Sequence, residues 1–419
     1  MLLRDNNNDL YFLNESGAKL KNTWRYVNDP YTQDGFHWFY FDSSGKAIIG
    51  KQSSKASFKT IDDRDYLFDE NGHMMSGWIY SDGSPVSDDD EEGWKDAPYY
   101  LGEATDGAVS KGWRKINVYG ASEEDGSTDE WFYFDSDGKK TTKTRKTVTG
   151  RTYTFDPNDG HMLTGFTSKA AGTIDSSDNT LNYMTDAGQM VKNKFVYAVP
   201  NENYNQDDFD NSIYSWWYFD ANGNMIKNKI RTIQKKKFGF DEIGRMITGF
   251  AAKNTDSSMT PLLSEDEETE DLSEDIFLSG QYPVLYYFTE HGANYGQLKT
   301  GYVSVDLQEG SRQFYFDKLG QGITDYNKKI HRFTVSGMIL KADKDDSDNA
   351  YAGIKVDTAS EDDYTFASDF NGLCTRKFHK RVGDIQSRRN RFLFINFVER
   401  FGAILGNKFY IVTGHIGFS

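Results

Sequence analysis

The sequence predicts an all-β chain, a solenoid (superhelix) of stacked β-hairpin repeats, because one turn phrase recurs, the apolar residues are mostly aromatic, and polar inserts separate the copies. The phrase is an aromatic pair, Asp, two variable residues and Gly, usually with an apolar residue two positions later. Its clear copies are Tyr40–Gly45, Tyr133–Gly138, Tyr218–Gly223 and Tyr315–Gly320. Looser copies end at Gly17, Gly72, Gly107, Gly160, Gly188, Gly244, Gly292, Gly337 and Gly372. Such self-similarity indicates an array of one small unit.

Each part of the phrase favours a hairpin. The Asp side chain can accept hydrogen bonds from backbone N–H groups two residues further on. The Gly can adopt the left-handed conformation that closes a three-residue connection. Aromatic residues before the Asp favour a strand, and segments such as His73–Trp78 and His161–Phe166 supply the return strand. Because one hairpin cannot bury enough surface alone, we expect the hairpins to stack on one another.

The inserts between copies are polar, and the spacing of marker glycines varies from 17 to 48 residues. We interpret the inserts as surface excursions from a single array that spans residues 1–375, because polar connecting segments normally run over the surface. They are Ser81–Asp96, Ala121–Glu130, Asn201–Asn211, Asn254–Glu274 and Asp343–Asp363.

Composition limits the partners. Aromatic residues make up 15% of the chain, with 30 Phe and 26 Tyr, so rings on short strands should form the core. The net charge of -16 argues against a nucleic-acid partner, since phosphate binding needs a basic surface. No stretch approaches the roughly 18 apolar residues of a transmembrane segment. The single cysteine, Cys374, excludes an internal disulfide.

The start of the chain lacks the pattern of a signal peptide. Met1 to Arg4 is followed at once by Asp5 to Asn8, and a hairpin begins by Leu10. We therefore expect a fragment of a longer protein, from which a catalytic or adhesive domain is missing. A genuine cytoplasmic start is the alternative.

The repeats resemble the cell-wall-binding repeats of Gram-positive surface proteins. That superfamily includes choline-binding modules, the glucan-binding domains of glucosyltransferases and the repeat regions of clostridial toxins. Aromatic runs match its pattern at Trp131–Asp135 and Trp216–Asp220. A Met follows the turn Gly, and Gly plus an aromatic residue closes the unit. The Met positions are Met74, Met162, Met190, Met225, Met246 and Met338, and the closing pairs begin at Gly77, Gly112, Gly165, Gly249 and Gly301.

The resemblance implies a secreted or cell-surface module of a Gram-positive bacterium that attaches a protein to cell-wall polymer. It implies no catalysis, no catalytic residue and no cofactor. The aromatic sets that come closest to a ligand site are Trp24 with Trp38 and Tyr40, Trp78 with Tyr99 and Tyr100, and Trp113 with Trp131 and Tyr133. Aromatic cages bind quaternary ammonium groups such as choline, and aromatic rings also stack on sugars. The closing pairs later in the chain end in Phe166, Phe250 and Tyr302 in place of Trp. We therefore favour glucan or another wall glycan over choline as the ligand. The same rings could instead simply fill the core.

Other chemistry has weaker support. His73 and His161 occupy the same slot after the turn Gly, and we expect surface side chains there and no metal site. The acidic runs Asp88–Glu92 and Glu265–Asp271 lack the central Gly of an EF-hand loop, so we expect solvated loops. No pair of carboxylates stands out for glycoside cleavage.

Residues 376–419 depart from the pattern, with nine Lys or Arg residues against two acidic ones. Helical spacing relates the apolar residues Phe394, Phe397, Val398, Phe401, Ile404 and Leu405. The tail could be a short helix that caps the last hairpin, an amphipathic helix on an anionic membrane, or a non-native end in the wrong reading frame.

Two functions follow from these observations. The first is a non-catalytic cell-wall or glycan-binding module that binds through aromatic grooves between hairpins. The alternative is an array like that of a toxin or adhesin, which recognises host glycans or proteins through loops such as Asn254–Glu274.

Overall fold

The computed structural model describes residues 1–51, 54–119, 127–169, 174, 180–254, 258–263, 267–279 and 281–340. It contains two compact units. Unit 1 comprises Met1–Lys192, Asn201–Gln206 and Ala221–Asn224, whereas unit 2 comprises Asn193–Pro200, Asp207–Asp220 and the chain from Met225 onward. The predictions for the tail at 376–419, the insert Asp343–Asp363 and Gly372 fall outside the described residues.

The described part of unit 1 is a succession of two-stranded antiparallel sheets, each made by two strands that follow one another in the chain. The paired strands are β1 (Leu2–Arg4) with β2 (Leu10–Phe12), β3 (Thr23–Asn28) with β4 (Phe36–Phe41), β5 (Lys59–Ile61) with β6 (Arg64–Tyr66), β7 (Trp78–Ile79) with β8 (Tyr99–Tyr100), β9 (Gly112–Tyr119) with β10 (Ser127–Phe134), β11 (Arg145–Val148) with β12 (Arg151–Thr154), and β13 (Gly165–Thr167) with β14 (Asn182–Met184).

Unit 2 begins with two more hairpins and continues into larger antiparallel sheets. The hairpins are β15 (Lys194–Ala198) with β16 (Ser215–Phe219) and β17 (Lys229–Ile233) with β18 (Lys236–Phe240). The remaining strands are β19 (Gly249–Lys253), β20 (Met259–Pro261), β21 (Val284–Phe288), β22 (Gly301–Leu307), β23 (Gly310–Phe316), β24 (Gly322–Ile323), β25 (Asp325–Asn327), β26 (Arg332–Val335) and β27 (Met338–Ile339). They form a four-stranded sheet in the order β20-β19-β21-β24 and a five-stranded sheet in the order β22-β23-β27-β26-β25.

Helices are few and short in the part of the chain that the structure describes, which confirms the predicted all-β class. In the described residues they are α1 (Gln206–Asp210), α2 (Asp275–Leu278) and the single 3-10 turns Gly93–Lys95, Thr269–Asp271 and Gly292–Asn294. Among these residues no helix has the length and apolar character needed to cross a bilayer.

The turn phrase has the predicted hydrogen bonds. Asp42 Oδ1 accepts the backbone N–H groups of Ser44 at 2.8 Å and Lys46 at 3.1 Å, and Gly45 has a φ of 84°. The turn at Asp317 is the same: its carboxylate accepts from Leu319 at 2.7 Å and from Gln321 at 2.8 Å. Asp and left-handed Gly therefore close these hairpins together.

Within a unit, the return strand of a repeat can join its hairpin to the preceding one. In the repeat that ends at Gly72, Met74 N donates to Trp38 O of the preceding hairpin at 2.8 Å, and Met75 N donates to Leu67 O of its own hairpin at 2.9 Å. The pair Met162 and Leu163 repeats this alternation. Because consecutive N–H groups of a strand point in opposite directions, one short segment can bridge two hairpins.

The core follows from the alternation of side chains along each strand before a turn. Phe39 and Phe41 are fully buried on one face, whereas Trp38 and Tyr40 lie on the other face and are half-buried. Strand β10 repeats this arrangement, with Phe132 and Phe134 fully buried. The predicted aromatic core is thus present, and Phe residues are its most deeply buried part.

The sequence assignments of one turn and of several inserts need correction. In the repeat marked by Gly292, the hairpin is closed by Gly296, whose N–H donates to Thr289 O at 2.7 Å, because four extra residues enlarge the turn. Three inserts are also not wholly surface excursions, because each contributes a side chain that is at most 6% exposed. They are Ser81–Asp96 with Trp94, Asn201–Asn211 with Tyr204, and Asn254–Glu274 with Met259 and Leu272.

Candidate ligand-binding grooves

A Trp and a Met from successive hairpins lie side by side at three equivalent places. The Trp, here called the rim Trp, stands two residues before the Tyr of the turn phrase, and its carbonyl oxygen accepts the N–H of the Met in the following return strand. The pairs are Trp38 with Met74 at 2.8 Å, Trp131 with Met162 at 2.7 Å, and Trp216 with Met246 at 2.7 Å. We call the surface beside each pair a groove.

The first predicted set lies on the hairpin β3–β4. Trp24 and Tyr40 face each other across the strands with ring centroids 5.1 Å apart. Trp24 also contacts Tyr66 of the next hairpin at 4.8 Å. Trp38 belongs to the next cross-strand pair on the same face of this hairpin. Its partner is the exposed Tyr26, with ring centroids 5.3 Å apart. Trp24 and Tyr40 therefore contribute to packing between hairpins, while Trp38 lies at the rim.

The third predicted set, on β9–β10, has the same arrangement. Trp113 lies 5.2 Å from Tyr133 and 6.3 Å from Trp131. On its other side Trp113 contacts Tyr153 of the next hairpin at 4.7 Å. Trp131 is 41% exposed, so it is the member of this set that is most accessible to a ligand.

The second predicted set is brought together only in part. Trp78 and Tyr100 are paired across β7–β8 with centroids 5.0 Å apart. Tyr99 projects from the opposite face of its strand and packs against Phe58 at 4.9 Å. The rim position of this hairpin is occupied by Pro98, whose carbonyl accepts the N–H of Lys140 at 2.7 Å. This hairpin thus has neither the rim Trp nor the Met.

The third groove, in unit 2, was not among the predicted sites. Its closing aromatic residue is Phe195, which lies 4.9 Å from Tyr218 and 6.3 Å from the rim residue Trp216. The exposed rings of Tyr197 and Tyr214 extend the surface, with Tyr197 5.0 Å from Trp216. The run Trp216–Phe219 carried the signal, because strand alternation places Trp216 on the same face as Tyr218.

The groove at Trp216 opens on a cleft of about 420 Å³ with polar walls. Arg245 reaches two of its acidic residues, with Nε 2.8 Å from Asp241 Oδ2 and Nη1 3.2 Å from Asp208 Oδ2. Glu290 lines the cleft and accepts the Tyr287 hydroxyl at 2.8 Å. Aromatic rings beside oriented carboxylates and a guanidinium group can hold the apolar face and the hydroxyl groups of a sugar respectively.

His73 is buried, contrary to the expected surface position. Its Nε2 lies 2.9 Å from Asp29 Oδ2 and its Nδ1 lies 3.2 Å from Asp69 Oδ2. Burial opposes protonation, but the two carboxylates outweigh it and raise the pKa of His73. His161 is half-buried beside Asp159 at 2.6 Å, and that carboxylate likewise raises its pKa against the effect of burial.

Asp34, His37 and His73 have ligand atoms within 4.8 Å of one another, as a metal site would require. Both ring nitrogens of His73 already face Asp29 and Asp69, and the ring of His37 stacks on it at 3.7 Å. The arrangement is that of an imidazolium between carboxylates, with no ring nitrogen of His73 directed at an open ligand position. The acidic run Asp88–Glu92 is exposed to solvent, in agreement with the sequence interpretation.

Known proteins share parts of this chain. It is 27% identical over 229 residues to Glucosyltransferase-S of Streptococcus mutans, a match that covers 54% of this chain and 12% of that protein. The chain thus corresponds to about an eighth of that relative's length. No protein-family model matches the chain.

Solved structures with a similar arrangement include CbpJ of Streptococcus pneumoniae, with 16% identity, a TM-score of 0.41 and coverage of 81% of this chain and 99% of that one. Choline binding protein F of Streptococcus pneumoniae, solved with a peptidoglycan analogue, has 17% identity, a TM-score of 0.42 and coverage of 76% and 90%.

Proposed function

We propose that the chain is a non-catalytic module that binds a cell-wall polymer or glucan and thereby anchors a secreted or surface protein of a Gram-positive bacterium. The observation that carries this proposal is the recurrence of a rim Trp whose carbonyl oxygen accepts the N–H of a Met in the next return strand, at Trp38, Trp131 and Trp216. Trp131 and Trp216 are exposed, and Trp38 is half-buried. The similarity to a glucosyltransferase, an enzyme that handles glucosyl groups, supports a sugar polymer as the ligand.

The three grooves differ in what they offer a ligand. At Trp216 the rings of Tyr197 and Tyr214, 54% and 55% exposed, extend the aromatic surface, as Tyr26 and Phe36 do beside Trp38, and a polar cleft adjoins them. The half-buried Glu290 carboxylate and the Arg245 guanidinium group of the adjoining cleft can bond sugar hydroxyl groups. A pyranose ring laid on Trp216 and Tyr197 would use both features. Choline would use the rings alone, so we favour a glycan over choline at this groove.

The test compares the full chain with its Trp216→Ala and Trp131→Ala variants on insoluble glucan, purified cell walls and choline resin. Loss of one stacking ring should weaken retention on the preferred polymer about tenfold, which corresponds to about 1.4 kcal/mol. Tyr119→Ala is the matched control, because Tyr119 lies on the same hairpin as Trp131 and is equally exposed. The exposed fraction is 42% for Tyr119 and 41% for Trp131.

Retention of both Trp variants at the parental level, with the fold intact by circular dichroism, would contradict groove binding. Recognition through the inserted loops would then be the better account. Retention on choline resin but on neither polymer would assign the grooves to choline instead.

A further inference from the structure

Lys140 replaces a Met at one position of the array. The position lies two residues after the turn Gly. It is Met74 in the repeat after the Trp24 hairpin, Met162 in the repeat after the Trp113 hairpin and Met246 in the repeat after the Phe195 hairpin. Each of these thioethers packs in the aromatic cluster of the preceding hairpin. In the repeat that follows the hairpin of Trp78, the same position is Lys140, and its backbone N–H makes the equivalent bond to Pro98 O.

The ammonium group of Lys140 lies inside an aromatic cluster. Its Nζ is 5.0 Å from the ring centroid of Trp78, 5.6 Å from that of Trp94 and 5.8 Å from that of Phe132. It also donates hydrogen bonds to the carbonyl oxygens of Trp94 at 2.6 Å and Lys95 at 2.9 Å. Lys140 is only 8% exposed, so rings and carbonyl groups take the place of water around the charge.

An insert supplies much of this environment. Trp94, Lys95 and their carbonyl groups belong to the 3-10 turn Gly93–Lys95, within the insert Ser81–Asp96. The indole Nε1 of Trp94 donates to Tyr119 O at 3.0 Å, which fixes the ring against β9. Among the described residues, the 3-10 turns contribute no member to the hydrophobic clusters that contain Met74, Met162 and Met246. The lysine and the insert are therefore two departures from the repeat that meet at one place.

The chemistry of the cluster suits an organic cation. Aromatic faces attract ammonium groups within about 6 Å, and more strongly where water is excluded. Burial lowers the pKa of Lys140 to about 8, an effect that Asp159 and Asp96 partly offset, so the charged form still prevails at pH 7. A buried charge with this many favourable contacts is accommodated where an unpartnered one would be expelled.

We propose that the cluster of Trp78, Trp94 and Phe132 is an ammonium-binding cage whose ligand is the chain's own Lys140. Because the internal cation fills the cage, choline and other external ammonium ligands are excluded from it. The Trp78 hairpin is then a closed member of the array, distinct from the grooves that carry a rim Trp. This inference concerns a different hairpin from the proposed polymer grooves and does not depend on them.

Chemical rescue tests the cage directly. In the full chain, Lys140→Ala removes a group about the size of propylammonium. Adding n-propylammonium should raise the melting temperature of this variant in a saturable manner and alter its Trp fluorescence. The neutral analogue 1-propanol should not, and the parent chain should show neither change at the same concentrations. Met162→Ala, which opens the equivalent position below Trp113 without the two carbonyl groups, should respond much less.

Equal rescue by 1-propanol, or no saturable rescue of a folded Lys140→Ala, would overturn the proposal, and polymer retention would be unaffected by either result. Should Lys140→Ala not fold, the parent chain gives a second test. With lysine-labelled protein, the Hε resonances of Lys140, assigned by their loss in Lys140→Met, should be shifted upfield by the indole rings. Resonances at the position of solvent-exposed lysines would refute the cage.

Discussion

His73 illustrates how a repeated slot can acquire an individual role. Its ring lies between the fully buried carboxylate of Asp29, from the end of one hairpin, and Asp69, from the turn of the next. His37, which pairs with Asp34, covers the face of the ring. Both ring nitrogens can donate only in the protonated form. The protonated side chain therefore links two successive repeats.

This arrangement predicts a pH-dependent contribution to stability. Because the pKa of His73 is raised in the folded state, its stabilising effect should be complete below about pH 6.5 and should be lost as pH rises through the folded pKa. The measurement is the free energy of unfolding of the parent minus that of His73→Gln, from pH 5.5 to 8.5. A difference that stays constant or grows with pH would contradict a charged His73.

The contribution of Lys140 to the free energy of unfolding should change with pH in the opposite direction, at higher pH. Its pKa is lowered to about 8 in the folded state, whereas an unfolded lysine titrates near 10.4, so the unfolded chain binds more protons between these values. The free energy of unfolding of the parent should therefore rise relative to that of Lys140→Met between about pH 8 and 10.4. Urea titrations of both proteins across this range would measure the slope, and a falling difference would refute it.

At the scale of the single hairpin, the turn Gly meets two requirements. Gly107 has a φ of 62°, and a Cβ there would overlap the thioether of Met74 from the preceding repeat. Gly17 has a φ of 76° but open space where its Cβ would lie. The marker Gly therefore supplies backbone freedom in both turns and close packing in only one.

Alanine substitution should separate these two effects. Gly17→Ala should cost about 1–2 kcal/mol from backbone strain alone. Gly107→Ala should cost more, and Met74→Ala in the same chain should recover part of the excess, because removing the thioether makes room for the Cβ. Denaturant unfolding of the three variants provides the comparison. Equal losses at Gly17 and Gly107 would mean that the contact with Met74 contributes nothing.

The two-residue turn between β5 and β6 should allow substitutions that stabilise the chain. Asp62 and Asp63 join β5 to β6 with φ values of 47° and 62°, the left-handed pair that Asn-Gly prefers. Replacing them with Asn-Gly should stabilise the chain by about 1 kcal/mol, since the strain of left-handed Asp is removed. Thermal unfolding measures the gain, with Asp89→Gly in an exposed loop as the control. A neutral or lower melting temperature would contradict the turn assignment.

These turns also mark the limit of what the sequence could predict. The turn phrase, with Asp and Gly at a fixed spacing, predicted the main hairpins, because Asp accepts backbone N–H groups and Gly adopts the left-handed conformation. Asp62-Asp63 and Gln234-Lys235 adopt the same positive φ values without Gly, and only the register of their flanking strands imposes it. Trp24 and Trp113 were recognised as cluster members, but their burial depended on Tyr66 and Tyr153 of the next hairpin. Lys140 and Trp94 meet across 46 residues, a contact no local pattern encodes.

For the whole molecule, repeated grooves predict a preference for polymers. Each groove offers one rim Trp and should bind a single sugar weakly, whereas a polymer that engages several grooves gains effective concentration at each further contact. The full chain should therefore bind insoluble glucan at least about 100-fold more tightly than a trisaccharide of the same sugar. Competition between trisaccharide and polymer measures this ratio. Equal potency per sugar unit would indicate one dominant site.

The alternating hydrogen bonds of the return strands bear on how such an array tolerates change in length. Two adjacent residues, such as Met74 and Met75, fix one hairpin to the one before it. Neither of these two backbone bonds involves the far end of a hairpin, although side chains there, such as Asp29 and Trp94, also contact the next repeat. Accordingly β7–β8 consists of two-residue strands with a long insert, while β9–β10 has strands of eight residues. Insertions and deletions at the hairpin tips can therefore accumulate without shifting the register of neighbouring repeats, and the uneven spacing of the glycines is compatible with a regular junction.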